Sequence, residues 1–296
     1  MLGAIAGDVI GSVHEGSRPK PKNFPLFVTR SHFTDDTVLT IAISSAIRSG
    51  GDFGASIRQW GRRYPRAGYG SWFRSWLFQD SAEPYNSFGN GSAMRVAPVG
   101  WAFDNLDDVL IQAAKSAEVT HSHPEGIKGA QAVAAAVFAG RTGQSKEQIA
   151  ALLSERFGYD CTADLTTLQE RGRFDVTCQG TVPAAAGAFL HSTDFEDAVR
   201  NAVSFGGDTD TLACIAGAMA EAFYGCVPTD VQRELFRYLD RAVVAEVIEF
   251  AAKYGVPLAD LPEVRRAQSP DSPQEEIILT LCDETEPIGK THESES

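Results

Sequence analysis

Apolar residues recur at spacings of three and four along most of this chain. Leu2, Ile5, Val9 and Val13 set the pattern at the start, as one face of a helix does. The same periodicity predicts helices over residues 37–48, 127–139, 146–157, 195–204, 212–224 and 231–254. Glycines follow these segments, as at Gly50-Gly51 and Gly140, where left-handed C-caps are expected. Period-two alternation is scarce; residues 174–178 come nearest to a strand and are few. The pattern therefore predicts a compact all-α domain. No linker divides residues 1–262, which read as one domain.

Composition narrows the class. Of 296 residues, 43% are hydrophobic, with 17 Phe and 4 Trp, and that content needs a core rather than a disordered state. Nearly uncharged stretches such as 129–140 are shorter than the ~20 residues that cross a bilayer. Asp8 interrupts the apolar run of residues 1–12, which carries no basic residue, so neither a membrane span nor a secretory signal is expected. Cys161, Cys178, Cys214, Cys226 and Cys282 are odd in number and form no CxxC pair. They read as reduced thiols of a cytoplasmic protein. The net charge of −13 is opposite to the basic face of a general nucleic-acid binder. Part of it lies in residues 263–296, which hold nine acidic and three basic residues and the turn-rich stretch 268–273. This is expected to be an acidic C-terminal tail, partly disordered or docked through Ile277, Ile278, Leu279 and Leu281.

Two acidic clusters carry the candidate chemistry. Phe33-Thr34-Asp35-Asp36-Thr37 and Gly206-Gly207-Asp208-Thr209-Asp210-Thr211 each precede a long apolar run. One Asp-Thr pair at a helix start is accounted for by capping; a second carboxylate in each cluster is not. Like charges set side by side raise each other's energy unless a cation separates them. Hard dications such as Mg²⁺ or Mn²⁺ take oxygen ligands of this kind, so two metals between opposed helix N-termini form a coherent reading. In the first helix, Gly3, Gly7 and Gly11 would admit a close neighbour, while Asp8, Ser12 and Glu15 share one face. That face is either a solvated surface or a set of polar groups turned into a site.

The ordered motifs resemble the ADP-ribosylglycohydrolases, the group that includes the dinitrogenase-reductase-activating glycohydrolase. Gly7-Asp8-Val9-Ile10-Gly11-Ser12 with Glu15 is similar to the family's opening motif. Thr34-Asp35-Asp36 and Asp208-Thr209-Asp210-Thr211 are similar to its two metal motifs. Ser87-Phe88-Gly89-Asn90-Gly91-Ser92-Ala93-Met94-Arg95 is similar to its glycine-rich ADP-ribose loop, and Thr120-His121 to a further site motif. The resemblance spans about residues 1–255.

It implies a compact orthogonal multi-helix fold with a binuclear Mg²⁺ or Mn²⁺ site, whose ligands would be Thr34, Asp35, Asp36, Asp208, Asp210 and Thr211. Ser87, Phe88, Gly89, Asn90, Gly91 and Ser92 would hold the distal ribose and diphosphate, with His121 beside the ligand. The implied reaction removes ADP-ribose from a protein side chain such as arginine or serine, or from a small ADP-ribosyl compound. Metal-oriented water would attack the anomeric carbon, and Asp36 or Glu15 would take its proton.

The loop's own chemistry agrees: glycines at 89 and 91 let successive N–H groups face phosphate oxygens. Phe88 either covers a ribose or base, or packs in the core. Arginines 58, 62, 63, 66 and 74 interleave with Trp60, Tyr64, Tyr69, Trp72, Phe73 and Trp76. They form either a rim for a modified macromolecule or an amphipathic segment with inward aromatics. The competing functions are a non-catalytic ADP-ribose-binding relative and a binuclear hydrolase of another substrate class. A self-contained domain of this kind is expected to be a monomer.

Overall fold

The computed structural model describes residues 1–80, 83–171 and 175–261. Its helices, in order, are α1 (Leu2–Gly11), α2 (Asp35–Ser49), α3 (Phe53–Arg63), α4 (Ser71–Leu77), α5 (Gly91–Met94), α6 (Ala97–Ala102), α7 (Leu106–Glu118) and α8 (Pro124–Arg141). They continue with α9 (Lys146–Phe157), α10 (Leu165–Arg171), α11 (Cys178–Leu190), α12 (Phe195–Ser204), α13 (Thr209–Tyr224), α14 (Thr229–Leu235) and α15 (Arg241–Tyr254). Among the described residues extended pairing is limited to two isolated bridges, so the fold is all-α as the periodicity predicts. Met1–Leu258 forms one unit, and everything below concerns that unit. The acidic tail expected from residue 263 lies outside the described residues.

The core is built around α1 and α13. All ten residues of α1 are buried, and Gly3, Gly7 and Gly11 lie directly against the α13 backbone. A Cβ at these positions would overlap the carbonyl oxygens of Gly217, Ala213 and Thr209 respectively. The start of α1 is held from the same partner: the buried Glu221 carboxylate accepts from the N–H groups of Leu2 (3.2 Å) and Gly3 (2.9 Å), two donors with no acceptor within the helix. Alanine-rich α8 and α11 pack against α13, which is alanine-rich itself. Their small, fully buried side chains allow close helix approach at native packing density.

Helix ends follow local chemistry. Thr34 caps α2 by accepting from the Asp36 N–H, and left-handed Gly50 closes it. Ser145 and Gln148 form a reciprocal capping box on α9, which ends at left-handed Gly158. Two sequence expectations differ. Gly140 is not a C-cap: α8 runs through it to Arg141, and the left-handed glycine is Gly143. Gly140 instead meets the backbone of α13, where a Cβ would sit 3.1 Å from the Phe223 nitrogen. Residues 231–254 do not form one helix either. Asp240 accepts from the Ala242 and Val243 N–H groups and starts α15 afresh, separate from α14.

The strand expected at 174–178 is not formed by its described residues. Phe174 lies outside them, and Cys178 already opens α11. What remains is a short pairing with the glycine-rich loop: Asn90 N–H donates to Val176 O at 2.8 Å and Cys178 N–H to Phe88 O at 3.0 Å.

The arginine-rich segment turns part of its aromatic side inward and leaves Arg62, Arg63, Arg66 and Arg74 exposed. Phe73 and Trp76 are buried, and the Arg58 guanidinium lies 3.6 Å from the Trp76 ring centre. Arg62 donates to Leu77 O at 2.7 Å and to Asp80 at 2.6 Å. Trp72 departs from this arrangement at 75% exposure.

Candidate active site

The N-termini of α2 and α13 meet at the floor of a cavity of about 710 Å³. The first turn of α2 is fixed by Asp8, which the sequence places on the α1 face with Ser12 and Glu15. Its buried carboxylate accepts from Thr34 N–H (2.9 Å), Thr34 Oγ1 (2.7 Å), Thr37 N–H (3.0 Å) and Thr37 Oγ1 (2.5 Å). Asp8 is therefore a brace beneath α2. The three polar residues divide: Ser12 Oγ accepts from His32 N–H at 3.2 Å, and Glu15 is exposed and lines the cavity.

Asp35, Asp36, Asp208 and Asp210 converge on the floor, and Glu15 reaches them from the rim. Oxygens of Glu15, Asp208 and Asp210 lie within 4.8 Å of one another. Asp36 joins the two helix starts, since Thr211 Oγ1 donates to its oxygens at 3.1 and 2.9 Å. Asp208 accepts from Asn90 Nδ2 at 2.6 Å, which ties the acidic floor to the glycine-rich loop. Burial, and after it the charges of Asp8, Asp208 and Glu15, push the Asp35 carboxyl up to about 8. Asp36 is raised well above the usual carboxylate range by burial and then by Asp210, and Asp210 by burial and then by Asp208. Among the described residues no lysine or arginine forms an ion pair with any of the five.

A cluster of short oxygen donors, mutually repelling and with no ion-paired cation among the described residues, has the chemistry of a hard divalent metal site. Thr34 and Thr211 also line the cavity. Thr34 Oγ1 gives its proton to Asp8 and accepts from the Asp36 N–H, which leaves it one lone pair.

The opposite wall is the loop from Tyr85 to Gly91. Asn86 starts it in the left-handed region (φ 54°), and Ser87 Oγ accepts from the Gly89 N–H at 3.1 Å. The Cys178 thiol donates to Gly89 O at 3.1 Å from beneath. Ser87, Phe88, Gly89, Asn90 and Gly91 all line the cavity. Phe88 is 47% exposed at the mouth with its ring edge on His123, so it is not a core residue. Ser92 is turned away: its buried hydroxyl donates to Gly126 O at 2.7 Å, and it is absent from the cavity wall. His121 lines the wall from below, and burial, then Arg95, lowers its imidazole well below the usual range.

Tyr85, Arg95 and Val176, to which the sequence motifs gave no role, also border the cavity, as do Arg66 and Trp72 of the arginine–aromatic segment. Arg95 stands inside the quoted loop motif, but only the fold shows that it is fully buried.

The family model for ADP-ribosylglycohydrolases matches residues 1–267. The chain belongs to the ADP-ribosylglycohydrolase family. It is 26% identical over 329 residues to the ADP-ribosylhydrolase ARH3 of Bos taurus, covering 83% of this chain and 90% of that one. It is 24% identical over 259 residues to the ADP-ribosylarginine hydrolase Tri1 of Pseudomonas putida (strain GB-1), covering 76% of this chain and 69% of that one. Among solved structures it is similar to an ADP-ribosylglycohydrolase-related protein complex, with a TM-score of 0.67 and 26% identity over 85% of this chain and 94% of that chain. This ADP-ribosylglycohydrolase is thus a glycohydrolase enzyme acting on ADP-ribosylated substrates, and its acidic floor is a candidate metal centre. Among the described residues no helix is long and apolar enough to cross a membrane.

Proposed function

We propose that this enzyme is a metal-dependent hydrolase that cleaves the bond between the distal ribose of ADP-ribose and its acceptor. The observation that carries the reading is the pairing of five carboxylates, with no ion-paired cation among the described residues, with a glycine-rich loop on the facing wall. Two Mg²⁺ or Mn²⁺ ions would be held by Asp35, Asp36, Asp208 and Asp210 with Thr34 and Thr211, and Glu15 stands against the same cluster. When bound, such ions supply Lewis-acid polarisation and lower the pKa of a coordinated water.

The chain's own groups do the rest. The Gly89 and Asn90 N–H groups are taken by Ser87 Oγ and Val176 O, so the loop offers the diphosphate its Gly91 N–H and the Ser87 side chain, while Phe88 covers the ligand at the mouth and His121 lies beside it. As the bond to the acceptor breaks, positive charge grows on the anomeric carbon and ring oxygen, and the adjacent carboxylates favour that charge. Asp36, at the floor, or Glu15, at the rim, takes the proton of the attacking water.

The acceptor is an arginine or serine side chain or a small ADP-ribosyl compound, and the buried thiols are consistent with a cytoplasmic setting. The deciding experiment offers arginine-linked, serine-linked and O-acetyl ADP-ribose, together with simple phosphate esters, with Mg²⁺ or Mn²⁺ and after complete chelation. Release of ADP-ribose that stops with chelation supports the proposal. Turnover by the fully stripped enzyme, or turnover of phosphate esters alone, overturns it.

A further inference from the structure

Of the five large apolar side chains exposed among the described residues, Trp72, Phe88 and Val176 border one cavity. Apolar surface gathered at a single opening marks an interaction site. Phe88 and Val176 belong to the glycine-rich wall, where Val176 O accepts from the Asn90 N–H at 2.8 Å. Trp72 belongs elsewhere, and at 75% exposure it is the most open of the five. The chain just before it rests on the start of α2: Asp35 N–H donates to Ala67 O at 2.7 Å, and a Cβ at Gly68 would sit 3.1 Å from Asp35 Oδ1. Arg66 and Trp72 bracket that stretch in sequence, and both border the cavity.

The arginines of this segment differ in what already holds them. Arg58 donates to Gln79 O at 2.8 Å and lies on the Trp76 ring. Arg62 is taken by Leu77 O and Asp80, and Arg63 lies 5.9 and 5.8 Å from the Trp60 and Tyr64 ring centres. Arg66 and Arg74 are exposed, and their side chains have no hydrogen bond or ion pair among the described residues. No acidic residue occurs between Asp52 and Asp80. A chain of net charge −13 therefore presents two uncommitted cations with an open tryptophan between them in sequence.

Trp and Arg are the residue types that carry most of the energy of protein interfaces. A nucleic-acid face asks for more, namely many cations and a series of stacking rings. Two free arginines fall short of that, and the rings of Phe73 and Trp76 are buried.

We propose that Trp72, with Arg66 and Arg74, is a docking lip for the polypeptide that carries the ADP-ribosylated side chain, and that it selects acceptors flanked by acidic residues. This rests on the function proposed above. With the ADP half on the glycine-rich loop and the scissile bond at the acidic floor, the acceptor leaves past the start of α2, where the lip stands. Trp72 covers apolar surface beside the modified residue, and the two guanidiniums meet carboxylates around it. A small ADP-ribosyl compound has nothing to place there.

The experiment measures kcat/KM of the full chain with Mg²⁺ or Mn²⁺ on ADP-ribosyl-arginine and ADP-ribosyl-serine peptides flanked by Glu, Gln or Lys, and on O-acetyl ADP-ribose. The wild type is expected to prefer Glu-flanked to Gln-flanked peptides about tenfold, the scale of two exposed ion pairs. Arg66→Gln with Arg74→Gln should abolish that preference and leave O-acetyl ADP-ribose turnover unchanged. Arg66→Glu with Arg74→Glu should turn the preference toward Lys-flanked peptides, a reversal that a structural role for either arginine would not give. Trp72→Ala should lower kcat/KM about thirtyfold on every peptide, the scale of truncating an anchoring interface tryptophan, and leave O-acetyl ADP-ribose unchanged.

Equal turnover of Glu-flanked and Gln-flanked peptides by the wild type overturns the proposal, and so does turnover of O-acetyl ADP-ribose alone. A Trp72→Ala loss of the same size on O-acetyl ADP-ribose does so too. Faster turnover of ADP-ribosylated DNA ends than of any peptide, lost in the arginine variants, would give the lip to nucleic acid instead. The wild-type preference decides the matter even if a variant fails to fold. Failure of the proposed function reads differently: ADP-ribose is released from none of the compounds, while fluorescence anisotropy still ranks binding of labelled Glu-flanked peptides above Gln-flanked ones.

Discussion

Asp208 and Asp210 stand at the start of α13 within reach of Glu15, and each raises the cost of the other's charge. Asp210→Asn removes one of these charges while keeping the side chain's size. In the metal-free enzyme the variant should melt at or above the wild-type temperature, because a repulsion is relieved. The wild type should gain Tm as Mg²⁺ or Mn²⁺ is added, by binding to the folded state alone, and Asp210→Asn should lose both that gain and turnover. A metal-free variant that melts well below the wild type would contradict this account.

His121 gives a second test at the same scale. Its folded pKa lies well below the ordinary 6.5, so below that pH the unfolded chain binds a proton that the folded chain refuses. The sign follows: stability is lost as pH falls through 6.5. The neutral variant His121→Gln should lose less stability than the wild type between pH 7 and pH 5 in parallel denaturant melts. Equal slopes would show that the ring protonates in place.

At the scale of elements, the contact of α1 with α13 is backbone against backbone. Gly7→Ala adds a methyl group where the Ala213 carbonyl already sits, and main chain cannot rotate aside as a side chain does. A loss of about 1–3 kcal/mol is expected, read as a lowered Tm. Gly70→Ala, which meets open space, should leave Tm nearly unchanged.

The long amphipathic helices and their glycine or capping ends were legible in the sequence, because period and cap chemistry are local properties. Their misreadings have local causes too. Gly140 looks like a stop but is a close-approach residue, and Asp240 resets an apolar pattern that continues on both sides of it. Helix α11 is concealed by Pro183 and two glycines in a run that is small and buried nearly all round. The acidic motifs were legible as chemistry, since no cap needs two adjacent carboxylates. Their partners were not. Nothing in the sequence says that Asp8 clamps Thr34 and Thr37, that Ser92 turns toward Gly126, or that Arg95 is buried without a counter-ion.

For the whole molecule, a chain of net charge −13 acts on a substrate whose diphosphate is anionic. Long-range repulsion of this kind is screened within about 10 Å at 0.1 M salt. Raising ionic strength from low to physiological should therefore increase kcat/KM, and a chain ending after residue 267, where the family match stops, should respond less because it sheds acidic residues. A kcat/KM that falls with salt in both proteins would show that local attraction at the mouth outweighs the net charge.

The seam between α1 and α13 also sets an order of events during synthesis. The first helix emerges from the ribosome early, with all ten residues destined for the interior. Its partner lies about 200 residues later, as the bond from Thr209 to Gly11 records. At about 5–20 residues per second, α1 waits some 10–40 s for a surface on which to dock. The two halves of the acidic floor are separated by nearly the same stretch, so the nascent chain has no assembled floor until α13 is made. During that interval an apolar segment is without the partner that buries it, and a holding chaperone or the chain's own middle helices can shelter it.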